Sequence, residues 1–269
     1  MENKSGVYRT TKKDGSVYYR SSLTYKRKHI SLGSFSNEDD ATKAYREGRE
    51  ILDNASLRFS EYGSGLLSYE KAVILFNFRD NGIYFHNPIY VFKTHFSYYL
   101  TKDDIYTFDL DDLFYYASHK LMRRGGHLFV SDYGMQISIL SRYGIQPFAV
   151  SGRDYEFRNG DPYDLRYANV ICKNPYHGVR IVTKNGIPMY RAMIHYNGDT
   201  IIGTYKTALE AAIAYNKAVD LLKKQGYSKN YNINYIEGLG PKDYAEIYAG
   251  IAVSKSILSF SASRNPRNS

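Results

Sequence analysis

One passage is written nearly twice in this chain, once near each end, and that repetition limits the possible folds more than any single motif. The first copy runs from Ser5-Gly6-Val7-Tyr8 through Tyr19-Arg20-Ser21-Ser22-Leu23-Thr24 and Ile30-Ser31-Leu32-Gly33-Ser34-Phe35 to Ala41-Thr42-Lys43-Ala44-Tyr45. The second runs from His177-Gly178-Val179-Arg180 through Tyr190-Arg191-Ala192-Met193-Ile194-His195 and Thr200-Ile201-Ile202-Gly203-Thr204-Tyr205 to Ala211-Ala212-Ile213-Ala214-Tyr215. Gly33 and Gly203 stand 170 residues apart, as do Tyr45 and Tyr215, while Gly6 and Gly178 stand 172 apart. The length difference therefore falls in turns. Two copies of one small unit imply a ligand read at two places.

Each copy has strand periodicity followed by helix periodicity. Val17 to Thr24 alternates, with Tyr19, Ser21 and Leu23 on one face and Tyr18, Arg20, Ser22 and Thr24 on the other. Val7 to Thr10 and Lys28 to Phe35 complete a three-stranded antiparallel sheet, with Gly15, Gly186 and Gly198 in the turns. Asn37-Glu38-Asp39-Asp40 and Thr207-Ala208-Leu209-Glu210 read as capping boxes that open helices. Ala41, Ala44, Tyr45, Ala211, Ala214 and Tyr215 then recur at helical spacing, and their small side chains let each helix lie close on its sheet. The other sheet face stays open.

Charge collects on these sheets. The 269 residues carry a net charge of +9, with a pI near 9.3, which favours a polyanionic partner and nucleic acid before a membrane surface. Residues 1–35 hold eight Lys and Arg against two acids, and residues 173–206 hold five against one. The first helix is acidic instead, through Glu38, Asp39, Asp40, Glu47, Glu50 and Asp53. Solvated surface is the plain alternative for charged strand residues. The 29 Tyr can serve as core or as contact surface. A single cysteine, Cys172, leaves no disulfide framework and no multi-Cys zinc site. Without a long apolar run the chain reads as a cytoplasmic protein that does not engage membranes.

The order Gly-Val, aromatic-x-Ala/Ser strand, Gly-x-aromatic and Ala-x-x-Ala-Tyr resembles the APETALA-type (ethylene-response-factor) DNA-binding domain, over roughly residues 5–54 and 177–236. That resemblance implies a three-stranded sheet laid in the major groove of double-stranded DNA, and Asn234-Tyr235 is similar to the domain's exit. The contact residues it implies are Arg9, Lys12, Tyr18, Arg20, Ser22, Thr24, Lys26, Lys28 and His29 in the first copy. In the second they are Arg180, Lys184, Arg191, Met193 and His195. Tyr8 stands where the family has an early arginine, and Ser31 and Ile201 where it has an exposed Trp.

Residues 55–176 are too apolar for a linker. Asp103, Asp104, Asp109, Asp111 and Asp112 alternate with apolar residues, which suits a solvated face better than a metal cluster. The run from Tyr155-Glu156-Phe157-Arg158-Asn159-Gly160-Asp161 to Asp164-Leu165-Arg166-Tyr167-Ala168-Asn169 resembles the metal finger of HNH endonucleases. In phage homing endonucleases such units commonly precede an APETALA-type domain. The resemblance puts Glu156 and Asn169 at metal-ligand positions, with Asn174 or His177 near the last one. It puts Phe157 at the position of the general base and Gln136 near that of an upstream histidine. A phenyl ring neither accepts a proton nor binds a hard cation, so these positions carry no catalysis.

The expected architecture is α+β: a module over 1–54, a central degenerate HNH-like ββα domain over 55–176, a second module over 177–258, and a disordered tail over 259–269. Lys242 to Leu258 is expected to be a helix packing on a repeat or on a second chain, which leaves a homodimer open. The expected function is sequence-specific DNA binding by a domesticated homing endonuclease that represses transcription or blocks a locus, without a cofactor. The alternative is an active nickase using Mg2+ or Mn2+.

Overall fold

A computed structural model describes residues 6–63, 65–147, 149–196 and 198–259. The chain is α+β, with several small antiparallel sheets. It divides into two compact units, one formed by residues 1–138 with Asp161–Asn169, the other by Ile139–Gly160 with residues 170–269. The expected central domain over 55–176 is thus shared between two units. Among the described residues no helix is long and apolar enough to cross a membrane.

In the first unit, β1 (Val7–Thr11), β2 (Val17–Tyr25) and β3 (Lys28–Phe35) form an antiparallel sheet covered by α1 (Glu38–Asp53). Leu23, Ile30 and Leu32 of the sheet meet Ala44, Ile51 and Leu52 of the helix. Helix α2 (Tyr69–Asn81) packs on the same cluster through Ala72, Leu75, Phe76 and Phe78, so the core of the first module continues beyond residue 54. Next come a sheet of β4 (Ile89–Val91), β5 (His95–Tyr99) and β6 (Ile105–Asp109), the short α3 (Leu113–Ser118), and a meander of β7 (Leu121–Arg124), β8 (His127–Asp132) and β9 (Met135–Ser138). Gln136 lies on β9 and is exposed.

In the second unit, β10 (Tyr155–Phe157) pairs with β11 (Val170–Cys172). A sheet of β12 (Val179–Lys184), β13 (Ile187–His195) and β14 (Asp199–Tyr205) is then covered by α4 (Ala208–Lys224). No helix follows the β10–β11 pair: residues 173–178 run directly into β12, so only the two strands of a ββα arrangement are present. The expected helix over Lys242–Leu258 is broken into α5 (Pro241–Gly250) and α6 (Lys255–Leu258). Between them the Ser254 N–H donates to the Ile202 carbonyl at 2.8 Å, which gives the edge strand β14 a partner. Both helices pack on the core of their own module, with Ile257 fully buried. The tail expected over 259–269 lies outside the described residues except for Ser259.

The two modules are copies down to their irregularities. In each central pairing one extra residue bulges into the core, Leu32 between the Ser21–Gly33 and Ser22–Ser31 pairs, and Ile202 between Ala192–Gly203 and Met193–Ile201. The chain enters each sheet through a glycine of positive φ, +102° at Gly6 and +72° at Gly178. A Cβ on either would overlap the ring of Tyr45 or Tyr215. Each glycine carbonyl accepts an N–H beside the bulge, Ser22 at 2.8 Å and Met193 at 2.7 Å. The repeated Gly and Tyr are therefore one contact.

The caps differ. Thr207 and Glu210 form the full reciprocal box. In the first module the Asn37 side chain accepts from the Asp40 N–H, but the shorter Asp40 carboxylate accepts from the Asn37 side-chain amide at 2.8 Å, not from its backbone. The second module is closed by two asparagines: Asn216 pairs with the backbone of Asn234 at 2.9 Å in both directions, and Asn234 pairs with the backbone of His177.

Gly6→Ala should cost about 2–4 kcal/mol in urea unfolding, since overpacking adds to the penalty of positive φ. Gly15→Ala, with φ +84° but open space around it, should cost only about 1 kcal/mol. Equal costs would show that the Gly6–Tyr45 contact is slack.

Candidate nucleic-acid interface

Directly paired residues of an antiparallel sheet share a face, so register decides which side chains the helix leaves exposed. On the first sheet Tyr8, Arg20 and Ser34 lie abreast across the three strands, with Thr10 beside Tyr18, Ser22 beside Ser31 and Thr24 beside His29. On the second sheet Arg180, Arg191 and Thr204 lie abreast, with Val182 beside Met189, Lys184 beside Ile187, Met193 beside Ile201 and His195 beside Asp199. Arg20 and Arg191 hold the same place on the two central strands. Ser31 and Ile201 also occupy matching places.

Two expected contact residues sit on the helix side and a third is buried. Arg9 pairs with Tyr19, whose other partner Phe35 packs on the core, so it lies on the helix side of an edge strand. Lys28 pairs with Tyr25 on that same side, with its Nζ 5.0 Å from the centre of the Tyr84 ring. Ser22 is on the open face but only 7% exposed. Lys12 and Lys26 belong to turns, and Tyr18 is half-buried beneath the Lys12 ammonium at 5.9 Å.

Register also adds residues. Tyr8 joins the face in place of Arg9, and Val7 carried the signal, because a half-buried Val7 forces Arg9 to its own side. Val182, Ile187, Met189 and Ile201 make the second face far more apolar than the first, and Ile187 is 61% exposed.

The electrostatics of the second face are unfavourable in isolation. Arg180 and Arg191 stand directly opposite on neighbouring strands, where like charges repel. Among the described residues neither they nor Arg20 pair with a carboxylate, and the Arg191 Nε is enclosed without an acceptor. His195 is different: its Nδ1 is 2.9 Å from an Asp199 carboxylate oxygen at the hairpin end.

The polar residues between Asp154 and Asn174 serve the structure. The Asp164 carboxylate holds Arg166 at 2.7 and 2.8 Å, and the Asn169 amide donates to the Asp164 carbonyl at 2.7 Å. Backbone hydrogen bonds of 2.8 and 2.9 Å join Tyr163 and Leu165 to Thr107 on β6. Asn174 spans the Asp154 carboxylate and the Val179 carbonyl. Burial opposes ionisation of Asp154, but hydrogen bonds from Arg153, Val150 and Asn174 outweigh it and hold the carboxyl below its usual range. His177 lies edge-on to Tyr215 at 5.5 Å, and burial lowers its pKa. Glu156 is engaged by the Lys173 ammonium, and Phe157 pairs with Val170. The Lys173 ammonium thus shares the Glu156 carboxylate, and a phenyl ring offers no ligand atom to a hard divalent cation. Of the acidic run, Asp104 pairs with Arg123 at 2.7 Å, and Asp109 accepts from the Tyr167 N–H at 2.7 Å.

Comparison with protein families, curated proteins and solved structures finds no match for this chain.

Arg180→Gln removes one of two abutting like charges from an exposed edge. It should leave stability within about 0.5 kcal/mol of wild type or raise it. A loss above about 1 kcal/mol in thermal or urea unfolding would show that the Arg180 side chain serves the fold.

Proposed function

We propose that this protein binds double-stranded DNA in a sequence-specific manner, with both open sheet faces reading the major groove. The observation that carries the reading is a set of arginines that pair with no carboxylate among the described residues, Arg20 on one face and Arg180 beside Arg191 on the other. A fold gains nothing from placing two guanidiniums abreast, whereas a groove of acceptors flanked by phosphates gains directly. A small sheet fits a groove about 12 Å wide, and arginine pairs with the O6 and N7 of guanine through two parallel hydrogen bonds. Met193 and Ile201 offer apolar contact suited to thymine methyl groups. Two such modules in one chain lengthen the sequence read and raise the effective concentration of each on a shared site.

The sequence resemblance extends this reading. The HNH-like stretch uses its remaining polar residues as internal ties, in keeping with a homing endonuclease that has kept its DNA grip and given up cutting. Such a protein would repress transcription or block a locus by occupying its site.

Binding to duplexes enriched from a random pool tests the proposal. Arg20→Ala and Arg191→Ala should each weaken the enriched site by about 1–3 kcal/mol while changing random duplex much less. Equal losses on both would reject base reading. Purified protein should not nick the enriched duplex with magnesium or manganese, and Glu156→Ala should leave binding unchanged. Nicking that Glu156→Ala abolishes would restore the nickase alternative.

A further inference from the structure

The turn between β2 and β3 is built from residues that fit it badly. Lys26 and Arg27 have φ of +43° and +65°, the left-handed pair that a two-residue hairpin turn of the favoured hand requires. The other described pairs of this kind place glycine second: Gly125-Gly126, Tyr133-Gly134 and Asn185-Gly186. Among the described pairs, only the β2–β3 turn has two side chains with a Cβ and no glycine, and both are cationic. Left-handed backbone is disfavoured for such residues, and Asn-Gly would hold the same turn without the penalty.

Among the described residues the only use the fold makes of either charge is the contact of the Lys26 ammonium with two aromatic rings. Among the described residues no carboxylate pairs with Lys26 or Arg27, and both are exposed. The Lys26 ammonium rests 5.3 Å from the Tyr25 ring centre and 5.9 Å from that of Phe78. The turn closes the Thr24–His29 end of the open face and so forms a rim of the proposed reading surface, with the Lys26 ammonium resting toward the helix-covered side on Tyr25 and Phe78. At the matching end of the second sheet, the His195 Nδ1 is instead held by the Asp199 carboxylate within the fold.

The geometry points to the Lys26-Arg27 turn as an anchoring site for two nucleic-acid backbone phosphates, kept cationic at the cost of backbone strain. This rests on the proposed DNA reading and adds a division of labour: the first module grips the backbone at its turn, and the second carries the apolar reading face. Strained backbone is retained where function over-determines it, and phosphate contacts fix register without reading bases.

The test measures affinity and stability on the same variants. The probe is a random-sequence 30-base-pair duplex, titrated by fluorescence anisotropy at several KCl concentrations, with melting followed by calorimetry. The double variant Lys26→Asn/Arg27→Gly relieves the strain and removes both charges. It should melt about 2–4 °C higher, yet lower the slope of log affinity against log salt by about 2. Lys26→Gln/Arg27→Gln removes the charges but keeps the strain, and should show the same slope loss without the rise in melting. A wild-type slope in both variants would overturn the anchoring site. Failure of the Asn-Gly variant to melt higher than the Gln variant would overturn the stored strain. Absence of wild-type binding at every salt concentration would instead bring down the DNA reading, and the anchoring site with it.

Discussion

A tyrosine ring pressed on a glycine sets the geometry of both modules. Tyr45 against Gly6, and Tyr215 against Gly178, fix where the incoming strand passes beneath the helix. The glycine carbonyl accepts an N–H beside the bulge, and the bulge turns Leu32 or Ile202 into the core. With helix, entry strand and bulge locked together, one sheet face is filled by alanines and aliphatic residues. The other face is left with Arg20, or with Arg180 and Arg191. The open surface is thus a consequence of how the covered one is packed.

Much of this was legible in the residues. Period-two alternation gave β2 and β13 their faces, because Leu23 and Ile194 must be buried and everything else follows by parity. The positions of Gly, Ala and Tyr gave both helices. Short edge strands were harder. Val7–Thr11 offers a single aliphatic residue to set its phase, and the resemblance puts Arg9 on the open face that Tyr8 occupies. Lys28 failed for a related reason: charge suggested exposure to a ligand, while pairing with Tyr25 placed it over Tyr84. The middle of the chain resisted most. Residues 161–169 join the unit of β6 through Thr107, while their flanking strands belong to the other unit. Backbone pairing at that separation leaves no periodic trace in sequence.

Stability and the proposed function pull in opposite directions at a few named places. Abutting arginines on β12 and β13 repel, and the Lys26-Arg27 turn holds left-handed backbone without glycine. Other buried polar groups are tied closely, as in the Asn216–Asn234 clamp and the ties around Asp154. Local conflict within an otherwise consistent design is where function is expected to reside. The segment around Asp154, Asp164 and Asn169 shows the converse, since these side chains are absorbed by internal hydrogen bonds.

Photocrosslinking tests the central claim that the uncovered faces meet DNA. A benzophenone side chain placed at Ser34 or at Thr204 would lie on the two open faces, and one at Glu50 or Lys223 on the helical backs. Irradiation with bound duplex is predicted to give covalent adducts from both face positions and little from either back position. Adducts from Glu50 and Lys223 with none from Ser34 and Thr204 would contradict the account.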